Sequence, residues 1–150
     1  MSKQISTGAG IAMIVIVAAV TFNFSIGGAK AKSAKWQKVG KLGFSAGTAE
    51  NVSFAFNTKT KKPYVAFLDS RNSYKVTVMK FNGKRWLTVG SAFNERTTGS
   101  ADKAPLAFHP TTGEPYVAFR DNSNSGKLTV KKFNGASWEI VGSAGFTQSN

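Results

Sequence analysis

The chain of 150 residues contains no cysteine, which excludes disulfide bonds, thiolate metal sites and cysteine nucleophiles. Its single histidine, His109, excludes a metal site built from several histidines. That residue precedes Pro110 in a predicted turn, where we expect a surface position rather than a catalytic one. The sequence also lacks a nucleophile motif, a phosphate-binding glycine loop and a carboxylate cluster. We therefore predict a protein that is not an enzyme and that has no cofactor and no catalytic metal ion.

Acidic residues are scarce as well, with seven Asp and Glu against 20 Lys and Arg, and the formal net charge is +13. Such a charge attracts polyanions, including anionic glycans and envelope polymers. The alternative is a solvated surface that like charge keeps soluble. The densest basic segment contains Lys59, Lys61 and Lys62, so we expect this loop to make the contacts if a polyanion binds.

Charged side chains are missing from residues 4–29, and residues 11–20 are all apolar. A short basic start, an apolar run and the small residues Ala29 and Ala31 are typical of a secretory signal peptide over residues 1–31. The alternative is an uncleaved hydrophobic helix that anchors the chain in a membrane through residues 5–26. Either interpretation predicts an exported protein, secreted or at the cell surface, and argues against intracellular nucleic acid as a partner.

The rest of the chain contains one unit twice. Residues 47–98 match residues 99–150 without a gap at 25 of 52 positions. The segment from Pro63 to Phe67 is identical to the one from Pro115 to Phe119, and Trp36, Trp86 and Trp138 recur 50 and 52 residues apart. Trp36 begins a partial third copy. This self-similarity predicts a repeat architecture.

Each unit reads as four short antiparallel strands. In the first copy these are residues 52–56, 64–67, 75–81 and 85–89, and no helical period is present between residues 36 and 150. Asn82-Gly83 and Asn134-Gly135 are strong hairpin signals between the third and fourth strands. The second strand is apolar at every position, which indicates burial on both faces.

Four strands in about 50 residues, an acidic turn after the second strand and an aromatic-Asn-Gly turn before the Trp resemble kelch-like β-propeller blades. The tandem Trp-x-x-Val-Gly repeats of exported bacterial proteins are similar. The chain lacks the Gly-Gly pair of kelch repeats, where Leu68-Asp69 and Arg120-Asp121 stand. The resemblance implies an all-β fold of two four-stranded antiparallel propeller blades after an N-terminal hydrophobic helix. We assign residues 32–51 to a linker with an outer strand of a preceding blade, 52–93 to blade one and 94–150 to blade two.

Propellers close with about four to eight blades, so two blades leave two apolar faces exposed to water. We therefore expect a homo-oligomer that completes its ring from several copies. One alternative is a structural surface protein whose open faces join copies into a ring or filament. Another is a fragment of a longer propeller, whose further blades would cover these faces.

The functional expectation is a binding module that holds a glycan, an envelope polyanion or a protein through blade loops. Asp69 and Asp121 stand at equivalent places and suggest a Ca²⁺ or sugar-hydroxyl site, although an aspartate that caps its own turn is the simpler interpretation. Tyr74 and Phe93 differ between the copies, and we expect them at the surface. The candidate ligand-binding residues are Lys59, Lys61, Lys62, Asp69, Tyr74, Arg120 and Asp121. The expected structural anchors are Trp36, Trp86, Trp138, Tyr64 and Tyr116.

Overall fold

The computed structural model describes residues 35–93 and 104–147, which form eight β-strands in two four-stranded antiparallel sheets. The prediction of an all-β body with two such sheets is thereby confirmed. The described residues contain no α-helix, and none of their helical turns could cross a membrane. The signal peptide or anchor expected within residues 1–31 lies outside the described residues.

The two sheets share one strand order. The first consists of β1 (Ala49–Phe56), β2 (Pro63–Asp69), β3 (Lys75–Phe81) and β4 (Trp86–Thr88), and the second of β5 (Leu106–Phe108), β6 (Pro115–Asp121), β7 (Lys127–Phe133) and β8 (Trp138–Ile140). Each strand pairs with the next one along the chain. β1 begins three residues before its predicted start at residue 52. β5 begins two residues after residue 104, the predicted start of the equivalent strand in the second copy.

The Asn-Gly turns form the predicted hairpins. Asn82 Oδ1 accepts hydrogen bonds from the amides of Lys84 and Arg85, and Asn134 Oδ1 does the same for Ala136 and Ser137. The glycine after each asparagine has a φ near +100°, which residues with a side chain rarely adopt.

The core lies between the two sheets. Residues directly opposite each other in neighbouring strands share a face, so the register places Tyr64, Ala66, Leu68 and Val78 on one face of the first sheet. We call this the inner face, because it packs on the face of the second sheet that carries Leu106, Val117, Phe119, Phe133 and Trp138.

The two second strands differ in burial. In β2 every residue from Tyr64 to Asp69 is buried, as the continuous apolar run predicts. In β6 the buried residues alternate with half-buried or exposed ones, and Tyr116, Ala118 and Arg120 are the less buried set. These three lie on the outer face of the second sheet, on which no further sheet of the described residues packs. The same apolar sequence is therefore buried on two faces in one repeat and on one face in the other.

Two of the three tryptophans anchor neighbouring repeats to each other. The indole N–H of Trp86 donates to the carbonyl of Val39 at 3.0 Å, and that of Trp138 donates to Val89 at 2.8 Å. Each indole also lies against a glycine: a methyl group on Gly40 or Gly90 would come within about 3.3 Å of the ring. Because Gly has no side chain, the preceding Val-Gly segment can lie flat on the indole.

The expectation that Trp36 is a third anchor is wrong for the described residues, because its side chain is fully exposed. Trp86 and Trp138 lie on Val-Gly segments 47 and 49 residues earlier in the chain, and the described residues supply no such segment for Trp36. Phe93, expected at the surface, is instead 2% exposed and packs on Trp138 and Phe119 with ring centroids about 5 Å apart. Tyr64 is buried beside Phe108, and Tyr116 is half-buried.

Candidate functional site

Five cations are exposed at one end of the first sheet. Three belong to the β1–β2 loop and two to the β3–β4 turn, namely Lys59, Lys61, Lys62, Lys84 and Arg85. Both connections lie at the same end because β1 and β3 flank β2 in antiparallel pairing. We call these five residues the basic end. At a strand spacing of about 4.8 Å, the two connections are roughly 10 Å apart, which is close to the screening length at physiological salt.

The β1–β2 loop is held in place by Asn57, which is only 4% exposed. Its Oδ1 accepts from the amides of Lys59 and Thr60, and its Nδ2 donates to the carbonyl of Gly113 in the second repeat at 2.7 Å. The amide of Lys61 donates to the Asn57 carbonyl. The backbone of the lysine loop is therefore fixed, while the ammonium groups extend into water.

The two turns of the second repeat that correspond to the basic end carry no lysine or arginine. The positions in the second repeat that correspond to Lys59, Lys61 and Lys62 are Thr111, Gly113 and Glu114, and those that correspond to Lys84 and Arg85 are Ala136 and Ser137. His109 takes the place of Asn57, and its Nδ1 accepts from the amides of Thr111 and Thr112. The two loops thus have the same backbone design but opposite electrostatic character.

Asp69 and Asp121 lie at the opposite end of β2 and β6, about 20 Å away at 3.3 Å per residue. Each caps a short 3-10 turn: the Oδ1 atoms accept from the amides of Arg71 and Ser123. The simpler of the two sequence interpretations therefore describes the first oxygen of both carboxylates. The second oxygen differs between the repeats, because Asp121 Oδ2 accepts two further hydrogen bonds, from Asn124 and Thr129.

Tyr74 and Arg120 lie near these aspartates, so the structure separates them from the lysine loop. Tyr74 is 40% exposed and has a φ of +57°. Its counterpart is Gly126, over which the guanidinium of Arg120 lies: a methyl group on that glycine would come within 2.9 Å of it. The predicted ligand-binding residues thus divide into two groups at opposite ends of the sheets.

Sequence reasoning missed Asn72 and Thr77, which lie with Asp69 around a cavity of about 350 Å³. The sequence contained a signal for these residues, because the equivalent positions in the second repeat carry the same residue types, Asn124 and Thr129.

Sequence reasoning also missed a row of exposed apolar side chains on β1, made of Val52, Phe54 and Phe56, each more than half exposed. Their alternation with smaller or polar residues marks one face of a strand.

Within residues 35–93 and 104–147, no three His, Asp or Glu side chains lie close enough together to hold a metal ion. Comparisons with models of protein families, with curated proteins and with solved structures found no match to this chain.

Proposed function

We propose that this chain is an exported, non-catalytic binding module of the β-propeller type, which binds an anionic polymer at the basic end. The observation that supports this proposal is the group of five exposed cations on two adjacent connections of one rigid sheet. Neither connection contains a carboxylate. An anionic glycan or an envelope polymer of phosphate or carboxylate groups has the complementary charge, and its repeating charges can engage both connections at once.

The rigidity of the loop favours binding over mere solubility. Asn57 fixes the backbone that carries three of the lysines, so fewer backbone degrees of freedom are lost when a polymer binds. A loop whose charge served only solubility would not need a fixed spacing between its lysines.

Binding can be measured by titrating the full chain with dextran sulfate at several salt concentrations, with uncharged dextran as the ligand control. The test variant carries Lys59→Ser, Lys61→Asn and Lys62→Ser, in which Asn tolerates the φ of +56° at position 61. The matched control removes the same charge at Lys35, Lys38 and Lys41. We expect the slope of log affinity against log salt to fall by roughly one for each contacting lysine in the test variant. An equal loss in both variants would show that only net charge matters and would overturn the basic end as the site.

We further propose that the sheets are propeller blades and that copies of the chain associate head to tail. The outer face of the second sheet carries Tyr116, Ala118 and Val130, the equivalents of Tyr64, Ala66 and Val78 on the inner face of the first. It therefore repeats the surface by which the first sheet already packs on the second.

The complementary surface is the outer face of the first sheet. It carries Val65, Phe67 and Phe56, the equivalents of Val117, Phe119 and Phe108, which line the intramolecular contact. Val65 and Phe67 are already buried within the chain, so the part of this face that is open lies on β1. Phe44 of the same chain already stacks on Trp86 at 4.4 Å and covers part of this face. The exposed row Val52, Phe54 and Phe56 is what a second copy would bury.

Sedimentation of the full chain tests this association. We expect Phe54→Asp to shift the distribution to monomer, because a charge would be buried in the contact. Thr111→Asp, which adds the same charge in an exposed loop, should leave the assembly unchanged. A wild-type chain that stays a stable monomer at high concentration would overturn self-association and favour a piece of a longer propeller. Assembly without any retention of dextran sulfate would favour the structural surface protein over the binding module.

A further inference from the structure

Both repeats have an aspartate, an asparagine and a threonine near the ends of β2 and β6. Only in the second repeat do hydrogen bonds join the three side chains. In the second repeat, Asp121 Oδ2 accepts from Asn124 Nδ2 at 2.8 Å and from Thr129 Oγ1 at 2.9 Å. Thr129 Oγ1 also accepts from the amide of Gly145 at 2.8 Å. Both Asp121 and Thr129 are completely buried.

The amide that completes this network belongs to an inserted residue. Phe93 and Phe146 are structural equivalents, since their amides donate to the carbonyls of Val76 and Leu128. Phe93 lies seven positions after Trp86, whereas Phe146 lies eight positions after Trp138. The extra residue is Gly145, which has no counterpart in the first repeat.

Without that residue, the first repeat leaves its polar groups unused. Thr77 is 7% exposed, and its hydroxyl has no hydrogen-bond partner among the described residues. Asp69 is 5% exposed, and among the described residues its carboxylate accepts only from the amide of Arg71, through Oδ1. Both residues line the cavity of about 350 Å³, together with Asn72, Arg71 and Thr88, and with Ala46 and Ala92 as its apolar walls.

We propose that this cavity, the Asp69 pocket, is a binding site for a small polyhydroxylated ligand such as a terminal sugar ring. A sugar presents adjacent hydroxyl groups, each a donor and an acceptor, which match a carboxylate, a hydroxyl and a primary amide. The free Asp69 oxygen accepts from one hydroxyl, Asn72 bonds a second, and Thr77 gains the partner that Gly145 provides in the other repeat. Burying a hydroxyl without a partner is costly, and ligand binding removes that cost.

The volume and charge agree with this class of ligand. Pockets for small molecules begin at about 300 Å³, so the cavity of about 350 Å³ is large enough for one sugar ring. One carboxylate, two threonine hydroxyls and one amide supply five side-chain oxygens, fewer than the six to eight that Ca²⁺ takes. The pocket lies at the end of β2 opposite to the basic end, so polymer binding there leaves it open. It lies on the outer face of the first sheet, because Thr77 pairs with Phe67, so the sugar titration is also made with Phe54→Asp, the variant expected to be monomeric.

The test is a titration of the full-length, isotope-labelled chain with methyl α-glycosides of glucose, galactose and mannose, followed by the amide signals of Asp69 to Thr77. We expect one of these sugars to shift these signals in a saturable manner while the Asp121 to Thr129 signals stay in place. Thr77→Val keeps the side-chain shape, and we expect it to weaken binding about tenfold.

The control and a second variant separate a binding role from a folding role. Thr129→Val should leave sugar binding intact and destabilise the chain, because it breaks two hydrogen bonds. Insertion of a glycine between Ala92 and Phe93 should rebuild the Gly145 contact in the first repeat, raise stability and abolish sugar binding. No saturable shift with any of the three sugars, or equal shifts at both repeats, would overturn the proposal.

Discussion

The indole N–H of Trp138 donates a 2.8 Å hydrogen bond to the carbonyl of Val89, which joins the outer strand of the second sheet to the end of the first. Trp86 makes the same contact with Val39 one repeat earlier. Each tryptophan therefore holds the last residues of the preceding repeat, and the contact propagates along the chain in one direction.

Replacement of Trp138 by Phe should destabilise the chain by about 1–3 kcal/mol, because the buried Val89 carbonyl loses its donor. Trp36→Phe is the matched control, since that indole is fully exposed, and we expect a change within about 0.5 kcal/mol. Urea denaturation followed by circular dichroism measures both. Equal losses in the two variants would contradict the assignment of Trp138 as an anchor.

Gly90→Ala should cost more stability than Gly142→Ala, although the two glycines occupy the same position in their repeats. Both have a positive φ, so alanine is strained by about 1–2 kcal/mol at either site. At Gly90 the new methyl group would also lie 2.8 Å from the Phe133 ring, whereas at Gly142 nothing lies within 4 Å. Thermal unfolding of the two variants should differ by at least about 1 kcal/mol. Indistinguishable midpoints would argue against the close approach of the Gly90 backbone to these rings.

Tyr64 should make the chain less stable in alkali. Burial raises the pKa of its phenol above the ordinary value of 10.0. The unfolded chain therefore releases this proton near pH 10 while the folded chain still holds it. The stabilisation is fully present below pH 10 and is lost as pH rises through the folded pKa. Urea midpoints from pH 8 to 11 should fall more steeply for the wild type than for Tyr64→Phe, with Tyr116→Phe as the control. Parallel curves for the wild type and Tyr64→Phe would refute this.

Asn57→Ala should destabilise the chain by about 1–3 kcal/mol, because the carbonyl of Gly113 and two loop amides lose their partner. His109→Asn should be tolerated. It places at position 109 the residue found at the equivalent position 57, where Asn already performs the same turn-capping role. Amide hydrogen exchange should show faster exchange at Lys59 and Thr60 in Asn57→Ala only. Unchanged protection at these two amides would contradict the role of Asn57 in fixing the lysine loop.

The sequence by itself determined the strands and turns, because these depend on local sequence signals, and the same signals occur in both repeats. The Asn-Gly dipeptides set the hairpins, Asp69 and Asp121 cap their turns, and the apolar run of β2 indicated burial on two faces. Repetition made each of these inferences testable within one chain.

Tertiary structure alone decided the features in which the equivalent residues differ. Trp36 and Trp138 share a motif, but only Trp138 meets a preceding Val-Gly segment among the described residues. Thr77 and Thr129 are identical, yet one residue inserted 16 positions beyond Thr129 supplies its partner and leaves Thr77 without one. Burial and hydrogen bonding depend on which residues from elsewhere in the chain pack on a side chain, and the local sequence around that side chain does not identify them.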